Sequence, residues 1–140
     1  MAVRTYDPKQ VLIIIGGNAI TGFADGSFVT VARNEDMWTL QVGTDGEGTR
    51  SKSNNKSGTI TFQLMQSSDS NQVLSALAAV DELSGAGAVP VMVKDNSGDS
   101  IYVAETGWIR KYADSEFARE AGPREWVVET DVLVLNVAGN

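Results

Sequence analysis

Hydrophobic and polar positions along the chain alternate far more often than they recur at helical spacing, which predicts a mainly β protein. Val11-Leu12-Ile13-Ile14-Ile15, stopped by Gly16-Gly17, reads as a strand buried on both faces. Residues 19–23 and 28–33 read as strands joined through Ala24-Asp25-Gly26-Ser27, whose Asp-Gly pair predicts a hairpin. Residues 37–42 alternate, with Trp38, Leu40 and Val42 sharing a parity. Residues 59–64 alternate more clearly, Ile60, Phe62 and Leu64 against Thr59, Thr61 and Gln63. Residues 89–94 and 100–105 flank the turn Asp95-Asn96-Ser97-Gly98-Asp99. Residues 108–112 resume an extended pattern, and polar residues 113–124 read as a loop with a short helical turn.

The one predicted helix spans about residues 71–84. Ser68, Asp69 or Ser70 can cap it, Val73, Leu74, Leu77, Val80 and Leu83 form its apolar stripe, and Gly85 and Gly87 end it. Together these elements predict an antiparallel β-sandwich or barrel of about eight strands with one flanking α-helix. No linker or internal repeat divides residues 1–140, so a single domain is expected, with an arm at residues 1–10 broken by Pro8.

Two stretches fit a closed monomer poorly. Residues 43–58 (GTDGEGTRSKSNNKSG) hold no large apolar side chain and read as a long polar loop, a length uncommon inside compact domains unless functional. In the longest strand, residues 126–137, Trp126, Val128, Val132 and Val134 should face the core with Thr130 among them. The opposite parity is polar at Glu129 and Asp131, then apolar at Leu133, Leu135 and Val137. A solvent-facing strand has no reason to present those three, so they are expected under the helix or beneath a neighbouring subunit.

Composition narrows the chemistry. The chain has no cysteine and no histidine, which removes disulfides, thiolate nucleophiles, ordinary zinc sites and imidazole acid/base catalysis. A net charge of −7 argues against a nucleic-acid reader. No run reaches bilayer-spanning length and no signal-peptide pattern opens the chain, so a soluble protein made in a cytoplasm, without membrane insertion, is expected. Gly16, Gly17 and Gly22 lack the spacing of a dinucleotide-binding turn. Residues 95–99 and 44–47 lack the distal Glu of an EF-hand loop and are explained as turns. Glu129 and Asp131, on one strand face without an opposed cleft, do not make a glycosidase pair. Trp38, Trp108 and Trp126 fit core packing, with a carbohydrate platform as the alternative. No enzyme and no cofactor is predicted.

A collinear series of segments resembles the tail tube proteins of contractile-tailed bacteriophages. It comprises Tyr6-Asp7-Pro8 leading into residues 11–17, residues 20–28 (ITGFADGSF), residues 29–36 (VTVARNED) and residues 43–50 (GTDGEGTR). It continues with residues 60–71 and the helix, Val93-Lys94-Asp95 before Gly98, Trp108-Ile109, Glu125-Trp126 and the terminal Gly139-Asn140. The resemblance implies a structural subunit of the virion tail, made in the host bacterial cytoplasm. It implies hexameric rings stacked into a hollow tube that conducts DNA, with sheath, baseplate and tail terminator proteins as partners. Within it, Asp45, Glu47, Arg50, Lys52, Asn54, Asn55 and Lys56 are expected to bridge rings, and Leu133, Leu135 and Val137 to seal subunits. Glu129 and Asp131 are expected on the lumen, where acidic charge lets polyanionic DNA slide without sticking. The alternatives are a bacteriocin or type VI-like tube, a tail terminator or baseplate ring protein, and a monomeric glycan-binding sandwich.

Overall fold

A computed structural model of the chain describes residues 3–26 and 28–139. Met1 and Ala2 of the expected arm, Ser27 of the expected hairpin turn and Asn140 of the terminal pair lie outside the described residues. A 3-10 turn at Pro8–Gln10, capped by the Asp7 carboxylate accepting from the Lys9 amide at 3.0 Å, leads into the first strand. The strands are β1 (Val11–Ile15), β2 (Asn18–Ala19), β3 (Val29–Arg33), β4 (Trp38–Val42), β5 (Gly48–Lys52) and β6 (Gly58–Met65). After helix α1 (Ser70–Ser84) come β7 (Val89–Asp95), β8 (Ile101–Lys111), β9 (Pro123–Thr130) and β10 (Val134–Asn136).

Every strand pairing is antiparallel. The main sheet runs β2-β1-β7-β8-β9-β6-β3, with β10 also on β8, while β4 and β5 form a separate two-stranded sheet. The main sheet curls into a sandwich-like shape and does not close into a barrel, so β2 and β3 remain as its edges. A groove of about 480 Å³, lined by Val11, Phe28, Val29, Val31, Val93 and Tyr102, marks where β3 faces β1, β7 and β8 across the opening.

The core follows the predicted alternation. Ile60, Phe62 and Leu64 of β6 are fully buried, and Val128 and Trp126 stand directly opposite Ile60 and Phe62 on β9. Ile13 and Ile15 of β1 face inward beside Val93 and Val91 of β7. Each such side chain contributes about 1.5–3 kcal/mol by leaving water. The other face of β1 is not buried as the sequence suggested: Leu12 is exposed and Ile14 half-buried. Nor do residues 19–33 form a hairpin, since β2 pairs with β1 and β3 pairs with β6.

Helix α1 buries Ser70, Leu74 and Ala78, an i, i+4 series, with Leu77 partly covered. Val80 and Leu83, expected in the stripe, are exposed, Leu83 at 88%. At about 100° per residue they fall roughly 160° and 140° from Ala78 around the helix, off the buried line. The N-terminus is tied to the chain near Gly22: Ser68 Oγ donates to the Thr21 carbonyl at 2.6 Å, and Ser70 Oγ accepts from the Thr21 amide at 2.9 Å. Gly22 has φ +77°, and a Cβ there would meet Ser68 Oγ at 2.6 Å, so only glycine fits. Gly85, at φ +69°, ends the helix by donating to the Asp81 carbonyl at 2.8 Å.

The predicted final strand is split. β9 ends at Thr130, residues 131–132 bend, and inward-facing positions change from even to odd numbers. Strand β8 makes the matching change, burying Ala104 on one side of the break and Gly107 and Ile109 on the other. Because both strands shift together, their register survives: Gly107 pairs with Thr130 and Val103 with Val134. Leu133 is therefore fully buried in its own core and Leu135 partly buried, whereas Val132 and Val134, expected inside, are 46% and 61% exposed. Leu133 offers no surface to a neighbouring subunit, which corrects that expectation; Val137 does, at 77% exposed.

Candidate functional site

Part of the predicted polar loop is a β-strand, Gly48–Lys52. β4 and β5 form a hairpin that stands off the main sheet, with every residue of both strands exposed. Its tip is a three-residue turn: Gly46 donates to the Gly43 carbonyl at 3.0 Å and Gly43 to the Glu47 carbonyl at 2.8 Å. Gly46 sits at φ +90°, and Asp45 Oδ1 accepts from the Glu47 amide at 3.2 Å. Strand β5 escaped prediction because Gly48–Lys52 has no apolar side chain, although Asp45-Gly46 between extended segments is a hairpin signal.

The hairpin's root is clamped. Ser53 donates from its amide to the Met37 carbonyl at 2.8 Å and from Oγ to Glu35 Oε2 at 2.8 Å. The Asn34 amide donates to the Ser57 carbonyl at 3.1 Å, and Asn34 Oδ1 accepts from Thr59 Oγ1 at 2.8 Å. Asn55 Oδ1 accepts from the Ser57 amide at 3.0 Å, and the Lys56 carbonyl accepts from the Leu133 amide at 2.9 Å.

The two faces of the hairpin differ. Register places Trp38 opposite Lys52, Leu40 opposite Arg50 and Val42 opposite Gly48, so an apolar row lies beside a basic one. The Arg50 guanidinium lies 3.9 Å from the centroid of the Trp38 ring, an attraction of about 0.5–1 kcal/mol at an exposed site. The other face carries Thr39, Gln41, Thr49 and Ser51. Of the predicted bridging residues, Arg50 and Lys52 share one hairpin face, Asp45 and Glu47 shape the tip, and Asn54, Asn55 and Lys56 belong to the return segment. Trp38, Leu40 and Val42 are not among the residues expected to bridge rings, though their alternation beside a wholly polar segment is visible in the sequence.

A second exposed surface lies on the outside of the main sheet. Registers align Ile14, Met92, Val103 and Val134 as neighbours across β1, β7, β8 and β10, on the face opposite the core. An open depression beside this row is lined by Val103, Glu105, Thr106, Asp131, Val132 and Val134. The outer face of β3, β6 and β9 is more polar, with Thr30 beside Thr61 and Gln63 beside Glu125, though Val127 stands opposite Thr61 and Met65 is exposed at its end. Glu129 stands on that polar side, opposite Trp108 and ion-paired to Arg110 at 3.2 Å. Asp131 lies past the end of β9, its amide donating to the Thr106 carbonyl at 3.2 Å. The two carboxylates are thus not adjacent positions of one strand face. Trp126 is buried with Nε1 donating to Asn71 Oδ1 at 2.9 Å, as core packing anticipates, whereas Trp38 is exposed.

Comparison with known proteins agrees with a tail component. Residues 15–135 match the family model described as the bacteriophage PhiTE tail tube protein. The chain is 33% identical to structural protein ORF10 of Pseudomonas phage KPP10, covering 97% of this chain and 83% of that protein. Its fold is similar to the sheath/tube terminator of the extracellular contractile injection system PVC, with a TM-score of 0.64 at 9% identity over 98% of this chain and 100% of that one. It is equally similar to the tube-terminating cap of the anti-feeding prophage, with a TM-score of 0.63 at 9% identity over 99% of this chain and 95% of that one. The chain belongs to the PhiTE family of phage tail tube proteins and is a structural, non-enzymatic component of the virion tail.

Proposed function

We propose that copies of this chain assemble into hexameric rings that stack into a hollow tube, the conduit for DNA delivery inside a contractile sheath. The hairpin carries this reading: a clamped root presents Trp38, Leu40 and Val42 to solvent, where a monomer leaves their apolar surface uncovered. Docked on another copy, the same residues become interface. The free edge of β3 supplies backbone groups for strand pairing between subunits, the usual way to remove an exposed edge. Leu135 and Val137 remain sealing residues, without Leu133. The outer face with Glu129, and with Glu125 in place of Asp131, which lies past the end of β9, is proposed as the lumen, where threonines and carboxylates give DNA little to bind. Sheath, baseplate and terminator proteins are the proposed partners.

Electron microscopy of the full chain over a range of concentrations tests this. Hollow tubes or stacked rings are expected, and a variant with Gly-Gly in place of residues 38–52 should stay folded and not stack. Normal tubes from that variant would remove the hairpin from the mechanism. A second reading, a tail terminator, is favoured by the likeness of the fold to terminator and cap proteins. It predicts single rings at every concentration.

A further inference from the structure

We propose that the hairpin of one copy docks on the Val103–Val134 surface of the next, with Arg50 and Lys52 facing that copy's Glu105 and Asp131. This deepens the self-assembly reading above and rests on it. The first support is chemical matching. One hairpin face sets an apolar row, Trp38, Leu40 and Val42, beside a basic one. The outer sheet surface sets exposed valines beside two carboxylates. Among the described residues neither Arg50 nor Lys52 is ion-paired within the chain, and neither Glu105 nor Asp131 is.

Charge makes the match selective. The chain carries 18 acids against 11 lysines and arginines, so most approaches of one copy to another are repulsive. Residues 50–56 (RSKSNNK) are an exception, cationic with no acid among them. A basic segment on an acidic protein finds its complement on another copy of that protein, which steers encounter and excludes wrong registers.

Dimensions agree as well. Trp38, Leu40 and Val42 are two residues apart along an extended strand, so the apolar row spans roughly 13–14 Å. The row Val134, Val103, Met92 and Ile14 crosses three inter-strand gaps, also roughly 14 Å. The hairpin does not fill this surface within its own chain, since its strand residues and Val132 and Val134 are all exposed. Donor and acceptor surfaces are different, so the contact is head-to-tail. Each copy offers one of each, which closes a ring or continues as a series.

The test uses the full chain in three variants: Arg50→Glu with Lys52→Glu, Glu105→Lys with Asp131→Lys, and all four together. Folding is checked by circular dichroism and assembly by sedimentation velocity. Each double variant should raise the concentration needed for assembly at least about tenfold, and the fourfold variant should return to within roughly threefold of the parent. Loss in both doubles without recovery in the fourfold variant would assign the docking surface elsewhere while self-assembly stands. Parent-like assembly of the first double variant would remove the basic row from the contact. Absence of oligomers from the parent chain would overturn the self-assembly reading and this proposal together.

A covalent readout covers a charge variant that fails to fold. The chain has no cysteine, so Leu40→Cys with Val134→Cys introduces a single defined pair. On mild oxidation it should form a ladder of linked subunits on a denaturing gel, where each single-cysteine variant gives dimers at most. Assembled particles that yield no ladder would overturn the docking.

Discussion

Arg33 donates from Nε and Nη2 to the backbone carbonyl oxygen of Leu133, at 3.1 and 2.7 Å. The contact joins the end of β3, where the hairpin departs, to the point where the final strand reverses its inward parity. A half-buried guanidinium thus satisfies a carbonyl that the break between β9 and β10 would otherwise leave without a partner.

Arg33→Ala should therefore destabilise the unassembled chain by about 1–3 kcal/mol, the cost of stranding that carbonyl. Arg33→Lys should recover only part, since an ammonium keeps the charge and loses the planar fork. Urea unfolding below the assembly concentration measures both. A neutral Arg33→Ala would mean that water replaces the guanidinium at no cost.

Leu133 and Val134 are neighbours in sequence with opposite environments, at 0% and 61% exposure. Leu133→Ala should cost about 2–5 kcal/mol by leaving a cavity among Leu133's core neighbours. Val134→Ala should change the stability of the unassembled chain by less than about 0.5 kcal/mol, as exposed substitutions do. Equal effects, or the reverse order, would refute the parity change between Thr130 and Leu133. Unfolding midpoints in urea distinguish the cases.

That parity change also explains how far the sequence could be read. The alternation of Ile60, Phe62 and Leu64 and of Trp126 and Val128 was legible because each strand is regular and one face is buried. The run Leu133, Leu135, Val137 is anomalous for a solvent face, and Leu133 and Leu135 turn inward while Val137 stays exposed. Its cause is hidden, because the break at residues 131–132 is registered by a matching irregularity at residues 105–106 of β8, far away in sequence. Helix α1 was found by period, yet Val80 and Leu83 were misassigned because hydrophobicity marks an apolar face without showing how far the core extends beneath it. The hairpin was half-legible. Trp38, Leu40 and Val42 looked like any half-buried strand, while its partner β5 is polar and basic and matched no strand template.

Gly58 opens β6 at a place where two segments crowd it. A Cβ there would run into the Leu133 side chain and lie 2.9 Å from the Ala32 carbonyl oxygen. Its backbone is also held by Thr130, whose Oγ1 accepts from the Gly58 amide at 3.2 Å and donates to its carbonyl at 2.9 Å. Gly58→Ala should thus destabilise by about 1–3 kcal/mol through overpacking, although alanine is otherwise the milder strand residue. Combining it with Leu133→Ala should make the pair less costly than the sum, because the smaller side chain frees the colliding volume. Strict additivity in thermal or urea unfolding would show that the crowding is relieved by backbone movement instead.

Trp126 and Asn71 form a polar link between β9 and the first turn of α1. The indole Nε1, on a side chain 3% exposed, donates to Asn71 Oδ1 at 2.9 Å. Asn71 Nδ2 in turn donates to the Met65 and Ser68 carbonyls, both at 3.1 Å, fixing which way the amide faces. Asn71→Ala should cost about 1–3 kcal/mol, because it strands a buried indole donor as well as releasing the turn before the helix. In Trp126→Phe that donor is absent, so adding Asn71→Ala should cost less, with a coupling of roughly 0.5–2 kcal/mol across the double-mutant cycle. A coupling near zero would mean that the indole gains nothing from Asn71, leaving packing and the Ser68 and Ser70 bonds to Thr21 to hold the helix in place.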